Sequence, residues 1–404
     1  MGELTKPLAG IKVLDISRVL AGPWCGQMLA DMGADVIKVE RPGCGDDTRH
    51  WGPPWLAGSE ESAYYLCANR GKRSVTVDMA KPEGQALIKQ MAADSDVVIE
   101  NFKVGGLKKY GLDYASLKAL NPGLVYCSIT GFGQESPYAH RAGYDFMIQA
   151  MGGIMSLTGK PDEEPGGGPV KSGVAFTDIF TGLYAANAVL AALYQRRDTG
   201  VGCHIDMALM DVQVGVLANQ ALNYLTSGNV PQRLGNAHPN IVPYQAFATQ
   251  DGHMIVAVGN DEQFKRFCSV LSLPALADDP RFATNGMRVQ HRDQLVPVLE
   301  AALAQRPTDD WLARFEAVGV PSGPINTLDR VFDDAHVKAR GLKQTLPHSQ
   351  AGQVDLVANP IRMNGQSISA STAPPYLGEH TDDVLTGIGI TPEQRQALRD
   401  AGII

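Results

Sequence analysis

The sequence lacks the motifs that mark the common nucleotide-dependent and metal-dependent enzymes. It has no GxxxxGK[ST] phosphate loop, HExxH zinc motif or GxSxG nucleophile elbow, and no GxGxxG follows the first predicted strand. Its six cysteines form no CxxC pair and have no metal-ligand spacing, which favours reduced thiols over disulfides or structural zinc. We therefore expect neither a metal nor a nucleoside triphosphate as cofactor.

Basic residues are also few. Lys and Arg number 35 against 43 Asp and Glu, a formal net charge of −8, so nucleic acid is not an expected partner and an anionic ligand needs local cations. The first residues contain no apolar signal core. No run of about 18 consecutive apolar residues occurs. The expectation is a soluble, cytoplasmic protein without a membrane partner.

What the sequence does contain is an alternation of buried-strand and helix patterns through its first half. Such an alternation predicts a large, doubly wound, Rossmann-like parallel sheet, and 404 residues are more than one such core requires. Near residue 229 the pattern changes to a hairpin, turned at Asp251-Gly252, followed by amphipathic helices. We predict a large α/β domain over 1–228, a smaller α+β domain over 229–325, and a segment over 326–404 that returns to the large domain.

One acidic residue stands out. Asp178 is the only charged residue between Lys171 and Arg196, and it opens an Ala- and Leu-rich helix. Aspartate is a good N-cap residue, so a purely structural role is the simpler interpretation. An ionised, positioned carboxylate can also attack an activated acyl group and form a covalent intermediate. The local pattern alone leaves both roles open.

Several ordered motifs resemble the family III CoA-transferases, also called the CaiB/BaiF or formyl-CoA transferase family. The resemblance extends over essentially the whole chain and is carried by Leu14–Pro23, Asp31–Asp46, Asn69–Ser74, Val98–Phe102, Ser128–Gln134, Arg141–Asp145 and Leu377–His380. It implies a ring-like subunit in an interlocked homodimer, with coenzyme A esters and small carboxylic acids as the reacting partners.

The resemblance assigns Asp178 as the nucleophile, because the family's catalytic aspartate opens a helix at the matching position. It implies a mixed anhydride and an aspartyl-CoA thioester as intermediates, with no need for ATP or metal. The residues that it places around CoA are Val19, Ala21, Arg41, Val77, Asn101, Phe102, Lys109, Arg141, Tyr144 and Asp145. Val77 is also readable as a core strand residue, Lys109 as a solvated lysine, and Asp145 as the start of a helix.

Four further stretches resemble dicarboxylate-specific members of the family: Gly43–Pro54, Tyr126–Gly131, Ala237–Phe247 and Gly319–Asn326. They imply succinyl-CoA or glutaryl-CoA as donor and a C4–C6 dicarboxylic acid as acceptor. Arg49, His50 and His238 are our predicted contacts for the second carboxylate. Gly259, Asn260 and the Leu20-Ala21 turn are predicted oxyanion donors by position. Leu20 stands where the formyl-CoA enzymes carry Gln, and their glycine tetrad is missing, which argues against oxalate or formyl-CoA.

Two alternatives remain from the sequence. An α-methylacyl-CoA racemase of the same fold requires a paired His and Asp, but this chain has Tyr144 where those enzymes carry His, and Tyr is a poor base at neutral pH. The other is a non-catalytic CoA-binding protein, against which the intact Asp178 motif argues.

Overall fold

The computed structural model describes residues 6–404. The chain forms two compact units, each assembled from separate segments. The first contains the chain up to Gly153, Ser172–Ala221 and Ala335–Ile404, and the second contains Ile154–Lys171 and Leu222–Asp334.

The described chain contains thirteen strands. In chain order they are β1 (Lys12–Asp15), β2 (Asp35–Glu40), β3 (Lys72–Thr76), β4 (Val97–Glu100), β5 (Val125–Thr130), β6 (His204–Ala208), β7 (Tyr244–Ala248), β8 (His253–Ala257), β9 (Ser322–Pro324), β10 (Lys343–His348), β11 (Gly352–Val357), β12 (Arg362–Met363) and β13 (Gln366–Ser367).

Eighteen α-helices connect or cover these strands within residues 6–404. They are α1 (Ala21–Asp31), α2 (Ala63–Leu66), α3 (Pro82–Ala93), α4 (Tyr114–Leu120), α5 (Asp145–Met151), α6 (Ile154–Leu157), α7 (Phe176–Thr199), α8 (Leu209–Gly215), α9 (Ala218–Ser227), α10 (Asp261–Val270), α11 (Ala275–Asp278), α12 (Asn285–Gln290), α13 (Arg292–Leu303), α14 (Thr308–Ala317), α15 (Leu328–Asp333), α16 (Ala335–Ala339), α17 (Thr381–Gly387) and α18 (Pro392–Asp400).

The first unit is built on a six-stranded sheet in the order β3-β2-β1-β4-β5-β6, and every pair in it is parallel. This is the Rossmann order, and it confirms the predicted parallel α/β sheet. Strands β4 and β5 are buried along their whole length, as expected for central strands covered by helices on both faces. The strand order reverses between β1 and β4, where open sheets of this kind bind ligands.

Each face of this sheet has its own apolar core. On one face, side chains of α1 and α7 such as Leu29, Ala185 and Val189 pack against strand residues such as Ile99. By length and composition alone α7 could cross a membrane. Core helices of globular proteins meet the same criterion, and the inward residues of α7 belong to this core.

The other face of the sheet is completed by the carboxyl-terminal segment. Val384, Leu385 and Ile403 pack into the core that contains the α3 residue Ile88. The backbone N–H of Asp78 donates to the carbonyl of Ile403 at 2.7 Å. The end of the chain is therefore an integral part of the first unit.

The second unit contains an antiparallel sheet in the order β7-β8-β9. Strands β7 and β8 form the predicted hairpin, with Asp251 and Gly252 in the turn. Its separate core combines sheet residues such as Phe247 and Val256 with helix residues such as Phe267, Leu299 and Trp311.

Candidate active site

A cavity of about 180 Å³ lies where β1 and β4 end, at the reversal of strand order in the first unit. Its wall includes Val19 and Ala21, which follow β1, and Asn101 and Phe102, which follow β4. Asp178 lines the same cavity. Sheet topology thus brings together three chain segments that are far apart in sequence.

Two reciprocal hydrogen bonds join the loops after β1 and β4. The backbone N–H of Arg18 donates to Asn101 Oδ1 at 2.8 Å, and Asn101 Nδ2 donates to the carbonyl of Arg18 at 2.6 Å. The Arg18 guanidinium also lies over the Phe102 ring, 5.3 Å from its centroid. Asn101 therefore holds together two loops of the cavity wall. Its predicted contact with CoA remains a prediction.

The structure corrects the simple N-cap interpretation of Asp178. The N-cap residue of α7 is Ala175, and Asp178 is the third residue of the helix. The backbone N–H groups that an N-cap side chain would bind at the start of α7 are bound instead by the carboxylate of Asp145. Asp145 Oδ2 accepts the backbone N–H of Thr177 at 2.8 Å and that of Asp178 at 3.2 Å. The carboxylate of Asp178 is thus left available to the cavity.

Asp145 is itself held in place by a buried amide. Gln149 Nε2 donates to Asp145 Oδ1 at 2.7 Å, while Gln149 Oε1 accepts the backbone N–H of Ser172 at 2.9 Å. Asp145 also begins α5, with Tyr144 as the N-cap residue, so the helix-start interpretation is correct. Its carboxylate in addition fixes the first turn of α7.

The electrostatics of the site are those of two neighbouring carboxylates. Burial raises the pKa of Asp178, and the negative charge of Asp145 raises it further, to about 7. Burial also raises the pKa of Tyr64 to about 12, with the charge of Asp178 as the next largest cause. Asp178 therefore changes its charge near neutral pH, which is common for groups that react.

Close backbone contacts surround the cavity. A Cβ on Gly182 of α7 would lie 2.7 Å from the carbonyl oxygen of Ala21, and a Cβ on Gly131 would lie 2.6 Å from Cα of Gly143. Only glycine permits both approaches. The Gly131 and Gly143 loops are both part of the cavity wall.

A second cavity of about 650 Å³ adjoins the first and shares Arg18, Asp47, Phe102 and Lys103 with it. Nine of the ten predicted CoA residues divide between the two, and Asp145 lines neither. Val19, Ala21, Asn101, Phe102, Arg141 and Tyr144 line the first cavity, and Arg41, Val77, Lys109 and again Phe102 line the second. Val77 is also a core residue with 1% exposure, which confirms the core-strand interpretation, and its predicted contact with CoA stays a prediction.

Arg49 does not have the position predicted for a substrate contact. Its guanidinium is 4% exposed and makes a bidentate pair with Glu40 at 2.7 and 2.8 Å. It also donates to Glu61 at 2.6 Å and to the Tyr65 hydroxyl at 2.6 Å. The prediction is corrected, because these partners occupy the guanidinium and Arg49 lines neither cavity.

The other predicted acceptor contacts also lie outside the cavity lining. His50 Nε2 is 2.9 Å from the carbonyl of Cys44. His238, Gly259 and Asn260 belong to the second unit. There the Gly259 N–H donates to Gln263 Oε1 at 2.7 Å, and Asn260 is the N-cap residue of α10. These contacts give Gly259 and Asn260 structural roles. Their predicted role as oxyanion donors is a proposal only.

Sequence reasoning missed several residues that border the site. Tyr64 is one, and its neighbour Trp51 contacts it edge-on with ring centroids 5.1 Å apart. Lys103, Thr130 and Leu209 line the first cavity. Lys103 directly follows the predicted Asn101-Phe102 pair, so its position after β4 was the available signal. Within residues 6–404 there is no group of three or more His, Cys, Asp or Glu side chains arranged to hold a metal.

A Rossmann-order sheet with a cavity at its switch point, lined by a buried carboxylate, places the protein in the class of α/β proteins that bind ligands at that position. The chain belongs to CoA-transferase family III, whose family description matches residues 8–381. It is therefore a CoA-transferase.

Known relatives agree with this assignment. The chain is 52% identical over 383 residues to a succinate–glutarate CoA-transferase of Agrobacterium fabrum, covering 94% of this chain and 95% of that one. It is 46% identical over 380 residues to the succinyl-CoA:glutarate CoA-transferase of Mus musculus, covering 94% and 86%. Among solved structures, a CaiB/BaiF family protein from Brucella suis matches with a TM-score of 0.84 and 53% identity, covering 95% of this chain and 100% of that one.

Proposed function

We propose that this enzyme transfers CoA reversibly between succinyl-CoA and glutarate, with Asp178 as the nucleophile. The observation that carries the proposal is the position of Asp178. Its carboxylate lies in a cavity that adjoins a larger one lined by Arg41 and Lys109, whose charges suit the phosphates of CoA. The choice of acids rests on the relatives named for succinate and glutarate.

The proposed reaction has four steps that conserve thioester energy. Asp178 attacks the succinyl carbonyl and expels CoA thiolate, which leaves a mixed anhydride. The thiolate then attacks the aspartyl carbonyl, so succinate departs and an aspartyl-CoA thioester remains. Glutarate attacks this thioester, expels CoA thiolate again and forms a second anhydride. The thiolate finally attacks the glutaryl carbonyl, releasing glutaryl-CoA and the free carboxylate of Asp178.

The environment of Asp178 suits these steps. A carboxylate with a pKa near 7 is a stronger nucleophile than one with the ordinary value, yet it is still ionised in a large fraction at neutral pH. Each tetrahedral intermediate develops a negative oxygen, which backbone N–H groups can stabilise. Ala21, the first residue of α1, lines the cavity with Asp178, and N–H groups in a first helical turn have no partner within the helix.

The racemase and the non-catalytic alternative have less support. Tyr144 stands at the position where the racemases carry their His, and it is 65% exposed. Among residues 6–404, no histidine lines the first cavity. The transferase reaction therefore accounts best for the residues present.

We further propose that the enzyme works in the cytoplasm as a homodimer. Several large apolar side chains of the first unit are exposed, among them Tyr144, Phe146, Tyr184 and Tyr194. Where such side chains form a contiguous patch, that surface is commonly covered by a partner. Light scattering at micromolar concentration should give twice the chain mass of 43.2 kDa, and a monomer mass would contradict the dimer.

The reaction is tested by incubating the protein with succinyl-CoA and either glutarate, 3-hydroxy-3-methylglutarate or oxalate. Mass spectrometry should detect glutaryl-CoA, and intact-protein mass spectrometry should detect enzyme carrying CoA. Asp178→Asn should abolish both signals. Asp198→Asn, which changes an exposed residue of the same helix, should retain them. Product formation by Asp178→Asn would refute the nucleophile, and proton exchange without transfer would indicate the racemase.

A further inference from the structure

A fully buried ion pair contacts the turn between β1 and α1. Lys38 of β2 and Asp46 have side chains with no exposed surface, and Lys38 Nζ is 2.9 Å from Asp46 Oδ2. Lys38 Nζ also donates to the carbonyl of Ser17 at 3.0 Å. Although both residues border the second cavity, a side chain without exposed surface offers a ligand no contact area. The pair must act through the residues it holds.

The residue that Asp46 holds is Val19. The backbone N–H of Val19 donates to both carboxylate oxygens of Asp46, at 3.2 and 3.3 Å. Thr48 donates to the same carboxylate through its backbone N–H at 3.0 Å and its hydroxyl at 2.8 Å. Burial alone would raise the pKa of Asp46, but the Lys38 ammonium and these hydrogen bonds lower it to about 2. Asp46 is therefore ionised at neutral pH.

Val19 has a backbone conformation that its side chain disfavours. Its φ is +71°, in the left-handed region, which is a genuine outlier for a β-branched residue. Such conformations persist only where the surroundings enforce them, and they cluster at functional sites. Val19 lines the cavity of Asp178 and leads directly into Leu20 and Ala21, where α1 begins.

We propose that Lys38 and Asp46 are positioning residues that hold Val19 in its left-handed conformation and so place the Leu20-Ala21 backbone against the acyl group at Asp178. Lys38 holds the turn at Ser17, and Asp46 holds it two residues later at Val19. The inference rests on the proposed transfer reaction. The buried pair affects the reaction rate without contacting the substrate.

The test removes the pair as a unit, because deleting one partner would leave a buried charge unpaired and endanger folding. Lys38→Met/Asp46→Leu removes both charges and the acceptor for Val19. We expect kcat for succinyl-CoA and glutarate to fall about 10- to 100-fold, since small misplacement of reacting groups has effects of that size. KM for succinyl-CoA should change by less than about threefold, because neither side chain has exposed surface that could contact the substrate.

A matched control is available at the other end of α1. Arg70 and Asp31 form an ion pair at 2.7 Å with side chains that are 4% and 1% exposed, and neither lines a cavity. Arg70→Met/Asp31→Leu, which introduces the same two apolar residues, should lower the melting temperature while leaving kcat within about twofold of wild type. An equal loss of kcat in both double variants would mean that the Lys38–Asp46 pair serves stability only, and would overturn the inference.

Two further variants test the route through Val19. Lys38→Met/Asp46→Asn restores a neutral acceptor for the Val19 N–H, so it should recover part of the lost kcat. In a Val19→Gly background, Lys38→Met/Asp46→Leu should cost less kcat than in wild type, because glycine adopts φ of +71° without strain. If Lys38→Met/Asp46→Leu lowers kcat by the same factor in the wild-type and Val19→Gly backgrounds, the inference is overturned. Absence of transfer by the wild-type enzyme would refute the proposed function itself, which is a separate outcome.

Discussion

The carboxylate of Asp145 binds the backbone of Asp178, while its negative charge opposes ionisation of the Asp178 side chain. Oδ2 of Asp145 accepts the N–H groups of Thr177 and Asp178 at 2.8 and 3.2 Å. The same negative charge is the second cause, after burial, of the raised pKa of Asp178. One side chain therefore both orders the first turn of α7 and makes the neighbouring carboxylate more basic.

The rate of acyl-enzyme formation should rise with pH through about 7. Asp178 attacks only when ionised, and its pKa of about 7 leaves it mostly protonated below that pH. At pH 6 the single-turnover rate should be roughly a tenth of its plateau at pH 9. Rapid-quench measurements with succinyl-CoA check this. A flat profile between pH 5.5 and 9 would contradict the raised pKa.

Asp145→Asn should move that profile to lower pH. Removing the charge of Asp145 leaves burial as the remaining cause, so the pKa of Asp178 should fall. Asparagine also places an NH2 group where two acceptor oxygens are used, so we expect about 1–3 kcal/mol of destabilisation. The pH–rate profile and urea unfolding measure the two effects separately. Asp211→Asn, an exposed acid on α8, should change neither.

Asp178→Asn should stabilise the folded protein at alkaline pH. Because the pKa of Asp178 is higher in the folded than in the unfolded chain, the folded state binds more protons between about pH 4 and 7 and loses stability as pH rises through that range. At pH 8 the substitution should raise the free energy of unfolding by on the order of 2 kcal/mol. Below about pH 4 the two proteins should unfold alike. Equal stabilisation at pH 8 and below about pH 4 would show that ionisation of Asp178 does not cause the stability difference.

Arg49→Met should destabilise the fold without changing acceptor selectivity. Removing this guanidinium leaves the buried carboxylates of Glu40 and Glu61 without their cation, and loss of one member of a buried pair costs about 3–5 kcal/mol. Urea unfolding measures the loss, and KM for glutarate in the folded protein should stay near the wild-type value. His50→Ala, at an exposed neighbour, is the control. A large rise in KM for glutarate alone would restore the substrate role for Arg49.

The sheet could be predicted because its signal is local. The apolar runs of β1, β4 and β5 and the proline that begins α3 are visible in a few consecutive residues of the sequence. The hairpin of β7 and β8 was equally readable from Asp251-Gly252. Local patterns of this kind depend on neighbours in sequence, which one sequence provides.

Pairing between distant residues was not predictable in the same way. Arg49 looked available because the residues that accept its hydrogen bonds, Glu40, Glu61 and Pro375, lie 9, 12 and 326 positions away along the chain. The buried partners of Lys38 were hidden for the same reason. Asp178 was recognised as a helix-opening acid, but only the fold shows that Asp145 takes over the capping role.

The carboxyl-terminal segment has a consequence for synthesis. Val384, Leu385 and Ile403 complete a core of the first unit, whereas the core of the second unit is drawn from residues between Val242 and Val320. A chain that leaves the ribosome amino terminus first presents the entire second core before the last apolar residues of the first core exist. The inserted unit can close early, while one face of the catalytic sheet stays incompletely covered until the final helices arrive. The nascent chain therefore exposes apolar surface of the catalytic sheet in the interval between those two events, and such exposed surface favours aggregation.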